Sequence, residues 1–338
     1  EVKMFQFSLI LLFLVTGAVS NGSQSVLQRT IQALFEDRSG STYPGDCKIF
    51  PASSKQMRMC KRNPGLRKVL EVASQQAITA CEETFKYDRW NCSLDYNKKP
   101  KRNIFKKIYR ETAFVHALIA ASITHAVARA CSSGELSRCA CLSTRTSDTF
   151  ENVSWQWKGG CGDDFNFGKR YTKNFLEFKS VGNDQVADIL KQDVMVGINS
   201  VGEQLKEVCK CHGFSGSCTT KTCWKRLGPF NSVMGLLKKQ YHHALKKKLV
   251  VKRAITPNIR KKVKDRKNLV YLQKTPNLCL STKSRVCKDV PNCATLCCGR
   301  GYSVGNRSVT TRCRCRMVDC CFVKCDTCLE VKDYYVCK

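Results

Sequence analysis

The stretch CKCHGFSGSCTTKTCW, residues 209–224, decides how the rest of this chain is read. It sets Cys209 and Cys211 before Ser215, and Cys218 and Cys223 after it. If Cys211 pairs with Cys218 and Cys209 with Cys223, the two bridges nest and force the segment between them into a tight hairpin. Ser215 then sits at the tip, where Gly213 and Gly216 supply unusual backbone angles and leave the hydroxyl unshielded on both sides. A serine presented in this way is a better substrate for another protein's active site than a catalyst. An ordinary Gly-Ser turn between disulfides accounts for the spacing equally well, and spacing alone does not choose between them.

Two other chemistries compete for these residues. Gly213 to Ser217 begins like the nucleophile elbow of a hydrolase, but Ser217 stands where that motif needs glycine, and no apolar strand leads in. His212 is three positions away, and nothing identifies an acid that would orient it as a base. A zinc site would draw on Cys325 and Cys328, with Cys320 and Cys321 just upstream. Repeated cysteine pairs at finger spacing are missing, and the chain has only five histidines. No catalytic residue, metal ligand or cofactor is therefore expected.

The ends of the chain fix the compartment. Residues 5–15 (FQFSLILLFLV) are a short apolar run followed by small residues up to Ser20, which reads as a secretory signal spanning residues 1–20. All 24 cysteines lie between Cys47 and Cys337. An even number in a secreted chain is expected to be paired. Half of them fall in the last sixty residues, so the two ends are built differently. Sequons at Asn21, Asn91, Asn152 and Asn306 fit passage through the secretory pathway. A formal charge of +31 seeks polyanions. With a signal peptide present, that polyanion is sulfated glycosaminoglycan such as heparan sulfate and not nucleic acid.

Between these ends the pattern is first helical. Asn63, Pro64 and Gly65 make a helix start, and Leu66, Val69, Leu70, Ala73, Ala77, Cys81 and Phe85 then recur at helical spacing. A second helix is predicted from about Asn103 to Ala130. It is apolar on nearly every face, but His116, His125 and Arg129 interrupt it, so it reads as a core helix and not a membrane span. The two histidines read as partly buried polar groups, since no third metal ligand is close by. A third helical face carries Val194, Ile198, Val201, Leu205 and Val208. From Lys238 to Lys267, thirteen of thirty residues are Lys or Arg and one is acidic, which predicts a helix to about Val251 and then a basic connector able to bind polyanions. From Cys279 onward, cysteines, glycines and β-formers alternate as in a small disulfide-held β module.

The match of 209–224 to CKCHGxSGSC followed by KTCW resembles the signature of the Wnt ligands. So do ETAFVHA from Glu111, THAVARACSSGEL from Thr124, RWNCS at Arg89–Ser93, WKGGCGDDFNFG at Trp157–Gly168, and the order of the last twelve cysteines. The resemblance runs from about Cys60 to the end. It implies a secreted developmental signalling protein, a glycoprotein and lipoprotein of the extracellular space and matrix, that performs no chemistry itself. The implied fold class is α+β: a helical N-terminal domain (21–228) with long disulfide-stapled hairpins, including the acylated one (209–223), a basic helix and linker (229–278), and a small cystine-rich β C-terminal module (279–338).

The same resemblance implies that Porcupine attaches a palmitoleoyl group to Ser215, that Wntless carries the product, and that the hairpin around Gly213, Phe214, Ser215 and Gly216 enters a groove of the Frizzled cysteine-rich domain. Membrane association would be through the lipid only. A C-terminal "finger" tip (Met317, Val318, Asp319, Cys320, Cys321, Phe322, Val323) would make the second Frizzled contact, and an LDL-receptor-related co-receptor would be drawn in beside Frizzled. The implied disulfides are Cys81 with Cys92, Cys131 with Cys139, Cys141 with Cys161, Cys209 with Cys223 and Cys211 with Cys218. In the C-terminal module they are Cys279 with Cys298, Cys287 with Cys293, Cys297 with Cys337, Cys313 with Cys328, Cys315 with Cys325, and Cys320 with Cys321. Cys47 and Cys60 are left to pair. Two departures mark divergence: Asp319 stands where the family usually has Trp, and the HNNEAGR block reads QDVMVGI at Gln192–Ile198, keeping only Gly197. A glycosaminoglycan-binding matrix protein is the rival class, supported by the charge and cysteines but not by the serine hairpin.

Overall fold

The computed structural model describes residues 25–36, 53–93, 104–136, 138–139, 156–157, 162–181, 184–248, 267–318 and 322–338. The expected signal segment, Asn21, Cys47, Cys141, Asn152, Cys161, most of the basic connector and Asp319 to Cys321 lie outside the described residues.

One helix organises the N-terminal region. Helices α1 (Val26–Glu36), α3 (Leu66–Thr84), α5 (Phe165–Phe175), α6 (Gln185–Gly202) and α7 (Phe230–His242) pack around α4 (Arg110–Ser132), and α2 (Ser54–Arg62) packs against α5. Helix α4 is long and apolar enough to cross a membrane, yet it is buried inside the protein almost throughout. Its alanines let neighbours come close. A Cβ on Gly197 of α6 would collide with the backbone of Ala117, and one on Gly168 of α5 would lie 2.6 Å from the Thr124 carbonyl. That contact explains why Gly197 survives in the otherwise altered block.

Helix α3 starts at Gly65, in the left-handed conformation, and buries every one of its predicted face residues. Helix α4 begins later than the sequence implies. Residues 104–106 form a separate 3₁₀ turn, and the Ile108 carbonyl is taken by the amides of Leu272 (2.9 Å) and Gln273 (3.2 Å). The Thr112 hydroxyl meanwhile donates to the carbonyls of Ile104 and Lys107. The two α4 histidines are more deeply buried than expected. His116 is fully enclosed with neither ring nitrogen partnered among the described residues, and burial holds its pKa down to about 4, so the ring is neutral. His125 bonds the Gly228 carbonyl at 2.9 Å, and burial lowers its pKa too.

Helix α7 ends at His242 and not near Val251. The following residues form β4 (Leu245–Lys246), which pairs in parallel with β5 (Val270–Tyr271). Helix α6 stops at Gly202, so Leu205 and Val208 do not continue its face but lie on a strand, with Val208 exposed.

The C-terminal module has a different interior. Its core is Cys287, Cys293, Leu296, Cys297 and Cys337, with the rings of Tyr302 and Tyr335 against it. A short helix α8 (Val290–Leu296) leads into a two-stranded antiparallel hairpin, β6 (Tyr302–Val318) and β7 (Phe322–Cys337). The module docks on the turn after α3: Arg285 donates to the carbonyls of Lys86 and Arg89, and Asn292 to that of Tyr87.

Candidate functional site

The first hairpin is built from β2 (Leu205–Cys211) and β3 (Lys221–Leu227), paired antiparallel with Cys209 opposite Cys223. A third strand, β1 (Gln156–Trp157), lies parallel to β3. Disulfides join Cys209 to Cys223 and Cys211 to Cys218, one nested inside the other. The tip closes with Gly213 N–H donating to the Ser217 carbonyl (2.8 Å) and Gly216 N–H to the Gly213 carbonyl (3.0 Å).

Ser215 stands at this tip with φ 55° and ψ 27°, a left-handed conformation that ordinary residues avoid at a cost of about 1–2 kcal/mol. Gly216 follows at φ 77°. Gly213 is needed for a different reason from the one expected. Its φ of −69° is ordinary, but a Cβ there would strike the hydroxyls of Ser217 and Thr219. Ser215 is exposed, Phe214 beside it is 95% exposed, and the Ser215 hydroxyl makes no hydrogen bond to a described residue. The strand that leads into the serine is the exposed arm of a hairpin and not the buried apolar strand of a nucleophile elbow.

What fixes the hairpin to the body is a residue the sequence did not single out. Asp163 donates its amide to the Lys225 carbonyl (2.8 Å), accepts at Oδ2 from the Leu227 amide (2.7 Å), and accepts at Oδ1 from the Ser132 hydroxyl (2.5 Å). It thereby ties the root of β3 to the end of α4. Its only signal was its place in the block Trp157–Gly168.

The second hairpin carries disulfides Cys313–Cys328 and Cys315–Cys325 and a β-bulge between Cys313 and Arg316. Beyond them Met317 pairs with Val323 and Val318 with Phe322, leaving Met317 and Phe322 about three-quarters exposed. Gly213 to Gly216 thus gather at one tip, and Met317, Val318, Phe322 and Val323 near another, on separate sheets. Asn91 and Asn306 are exposed.

Five further disulfides have both cysteines described: Cys81–Cys92, Cys131–Cys139, Cys279–Cys298, Cys287–Cys293 and Cys297–Cys337. All nine join the partners that the resemblance implied. Cys60 is disulfide-bonded as well. The sulfurs of Cys287, Cys293 and Cys297 lie within 4.8 Å of one another, but two disulfides consume them, so this cluster has no free thiolate for a metal. Cys325 and Cys328 are likewise bonded away, which removes the zinc alternative at that pair.

A helical body that projects two cystine-stapled hairpins with exposed apolar residues at their tips has the form of a binding ligand. Residues 48–338 match the sequence profile of the Wnt family. The chain belongs to that family, whose members are secreted signalling ligands of development. It is 40% identical over 326 residues to Protein Wnt-4 of Drosophila melanogaster, covering 93% of this chain and 59% of that protein. It therefore spans less than two thirds of the fly relative. It is 34% identical over 316 residues to human Protein Wnt-9b, covering 88% of this chain and 87% of that protein. Among solved structures it is similar to a chain of human WLS in complex with WNT8A, at a TM-score of 0.53 and 30% identity over 80% of this chain and 93% of that one.

Proposed function

We propose that this chain is a secreted, acylated Wnt ligand that engages the Frizzled cysteine-rich domain through the Ser215 hairpin and the Met317–Val323 finger. It draws an LDL-receptor-related co-receptor to the same complex. The observation that carries this reading is Ser215 itself, exposed, left-handed and without a base, at the tip of a doubly stapled hairpin. Porcupine attaches palmitoleate to its hydroxyl, and Wntless carries the product to the surface. The solved complex of a relative with human WLS supports that last step. The ligand holds to membranes through the lipid, binds no nucleic acid, and uses its charge on heparan sulfate of the cell surface and matrix.

The acyl chain gives the hairpin its affinity. At roughly 0.8 kcal/mol per buried methylene, a long chain offers a receptor groove on the order of 10 kcal/mol of gross transfer free energy. Phe214 lies beside the attachment point and adds apolar area to the same contact.

Intact-mass and peptide mass spectrometry of the secreted protein, wild type against Ser215→Ala, tests the reading. The expected result is one unsaturated acyl adduct on the hairpin peptide, absent from the variant, together with loss of Frizzled-domain binding. An active protein whose Ser215 is unmodified would overturn it.

A further inference from the structure

The sequence put polyanion binding on the connector between Lys238 and Lys267. The folded chain gathers a more selective set of cations elsewhere. A groove of about 530 Å³ runs between α2 and α5, closed by the turn after α4. Lys55, Arg58 and Arg62 line it from α2, Arg170 from α5 and Arg138 from the turn. Among the described residues no acidic side chain lines it, and none of the five cations forms an ion pair. The larger cavity, about 820 Å³ at the root of the Ser215 hairpin, differs in this respect: Glu135 and Asp163 stand among its cations.

Five like charges around one concavity repel one another, and the fold does nothing among the described residues to compensate them. Some of the side chains are held in place. The Arg58 guanidinium donates back to the Ser54 carbonyl (3.2 Å), and that of Arg170 lies over the Phe167 ring, 5.7 Å from its centroid. Tyr171, which also lines the groove, has a buried hydroxyl with no partner among the described residues. Burial also lowers the pKa of Lys173 on the same helix, with Lys169 adding to the effect.

We propose that this groove is a binding site for a sulfated glycosaminoglycan chain, with Arg58, Arg62, Arg138 and Arg170 pairing with its sulfates. The inference deepens the heparan-sulfate part of the proposed function by giving it a place, and it does not depend on acylation of Ser215. The shape favours a linear polyanion over a lipid headgroup, because the cations face one another across a concavity. A membrane-docking face would set them beside exposed apolar residues, whereas the apolar lining, Met59 and Phe167, is packed against the core. Guanidinium groups suit sulfate because their planar fork can donate two hydrogen bonds at once.

The test uses the full secreted chain and a size-defined heparin oligosaccharide, titrated over a series of salt concentrations. The variants are Arg58→Gln/Arg62→Gln/Arg170→Gln, and Arg260→Gln/Lys261→Gln/Lys262→Gln in the connector, which removes the same charge. Counterion release predicts that the groove variant binds about tenfold or more weakly near physiological salt, with its log-affinity against log-salt slope reduced by about three. The connector variant is expected to lose clearly less. Equal losses, or a larger loss from the connector, would overturn the proposal. So would a groove variant that loses binding to phosphatidylserine-containing vesicles but not to heparin. Frizzled-domain binding should persist in the groove variant, and heparin binding in Ser215→Ala, so the two readings fail separately.

Discussion

The two hairpins project from one chain but are anchored by opposite means. The root of the Ser215 hairpin is continuous with the large apolar core: Leu227 belongs to it, Leu205 packs against it, and Asp163 bonds the strand to α4. Its two disulfides lie toward the tip and hold a local shape. The root of the finger hairpin has no such body behind it. Four of the five core residues of its module are cysteines, so there the disulfides stand in for the hydrophobic interior. One hairpin is positioned by packing and shaped by cystines; the other owes both to cystines.

The largest effect that could break this contrast is loss of the bond closing the finger's root. Cys297→Ser with Cys337→Ser should cost about 2–5 kcal/mol locally. Hydrogen exchange is then expected to rise through β6, β7 and α8 while α4 stays protected. Uniform exposure of both regions would show that the module's cystines also support the helical body. Next is Asp163→Ala, which strands the Leu227 amide, leaves the Ser132 hydroxyl only the Arg129 carbonyl, and should cost about 1–3 kcal/mol. Its signature is loosening at 225–228 with both hairpin disulfides intact. An unchanged exchange pattern there would mean that packing alone positions the hairpin. Asp319→Trp bears on the finger's contact, since an acid cannot replace an indole's apolar surface. It should shift Frizzled-domain affinity by about tenfold or less, with the change differing among receptors. A variant that binds every receptor domain unchanged would sink the idea that Asp319 alters preference.

Much of this was legible in the sequence because the signals were local. Leu66 to Phe85 alternates with helical period over five turns, and its face is buried as read. The Ser215 hairpin is written into four cysteines within fifteen residues. What escaped depends on partners far along the chain. Nothing between Asn103 and Arg110 breaks a helix, but Leu272 and Gln273 claim the Ile108 carbonyl from more than 160 residues away. Lys246 sits in a stretch of helix-compatible residues, yet β5 recruits it into a strand. Leu205 and Val208 are three apart, which mimics a helix face in a segment that the cross-strand disulfides make a hairpin. The cation groove was invisible for the same reason, since Arg62, Arg138 and Arg170 share no local pattern.

The smallest effect concerns the link between the two regions, where the chain returns from the basic connector to the helical core. Asp193 of α6 is fully buried there and accepts at Oδ1 from the Val270 amide (2.8 Å), while its Oδ2 has no partner among the described residues. Gln192 beside it donates to the Asn268 carbonyl (2.8 Å) and accepts from Lys247 (3.3 Å). The altered QDVMVGI block is therefore the surface that receives the returning strand. Burial drives the Asp193 pKa well above the usual carboxylate range, against the opposing pull of the Val270 amide and Lys247. A raised folded-state pKa favours the protonated form. The resulting stabilisation is fully present below the ordinary carboxylate pKa and is lost as pH rises through the folded value. Asp193→Asn keeps the Oδ1 acceptor, cannot ionise, and restores the asparagine of the family block. It should raise stability by about 1 kcal/mol near neutral pH and by much less near pH 4. Apparent unfolding temperatures of both proteins at the two pH values measure this. An equal gain at both would mean that ionisation of Asp193 is not what burdens the junction, and that the strand docks there on packing alone.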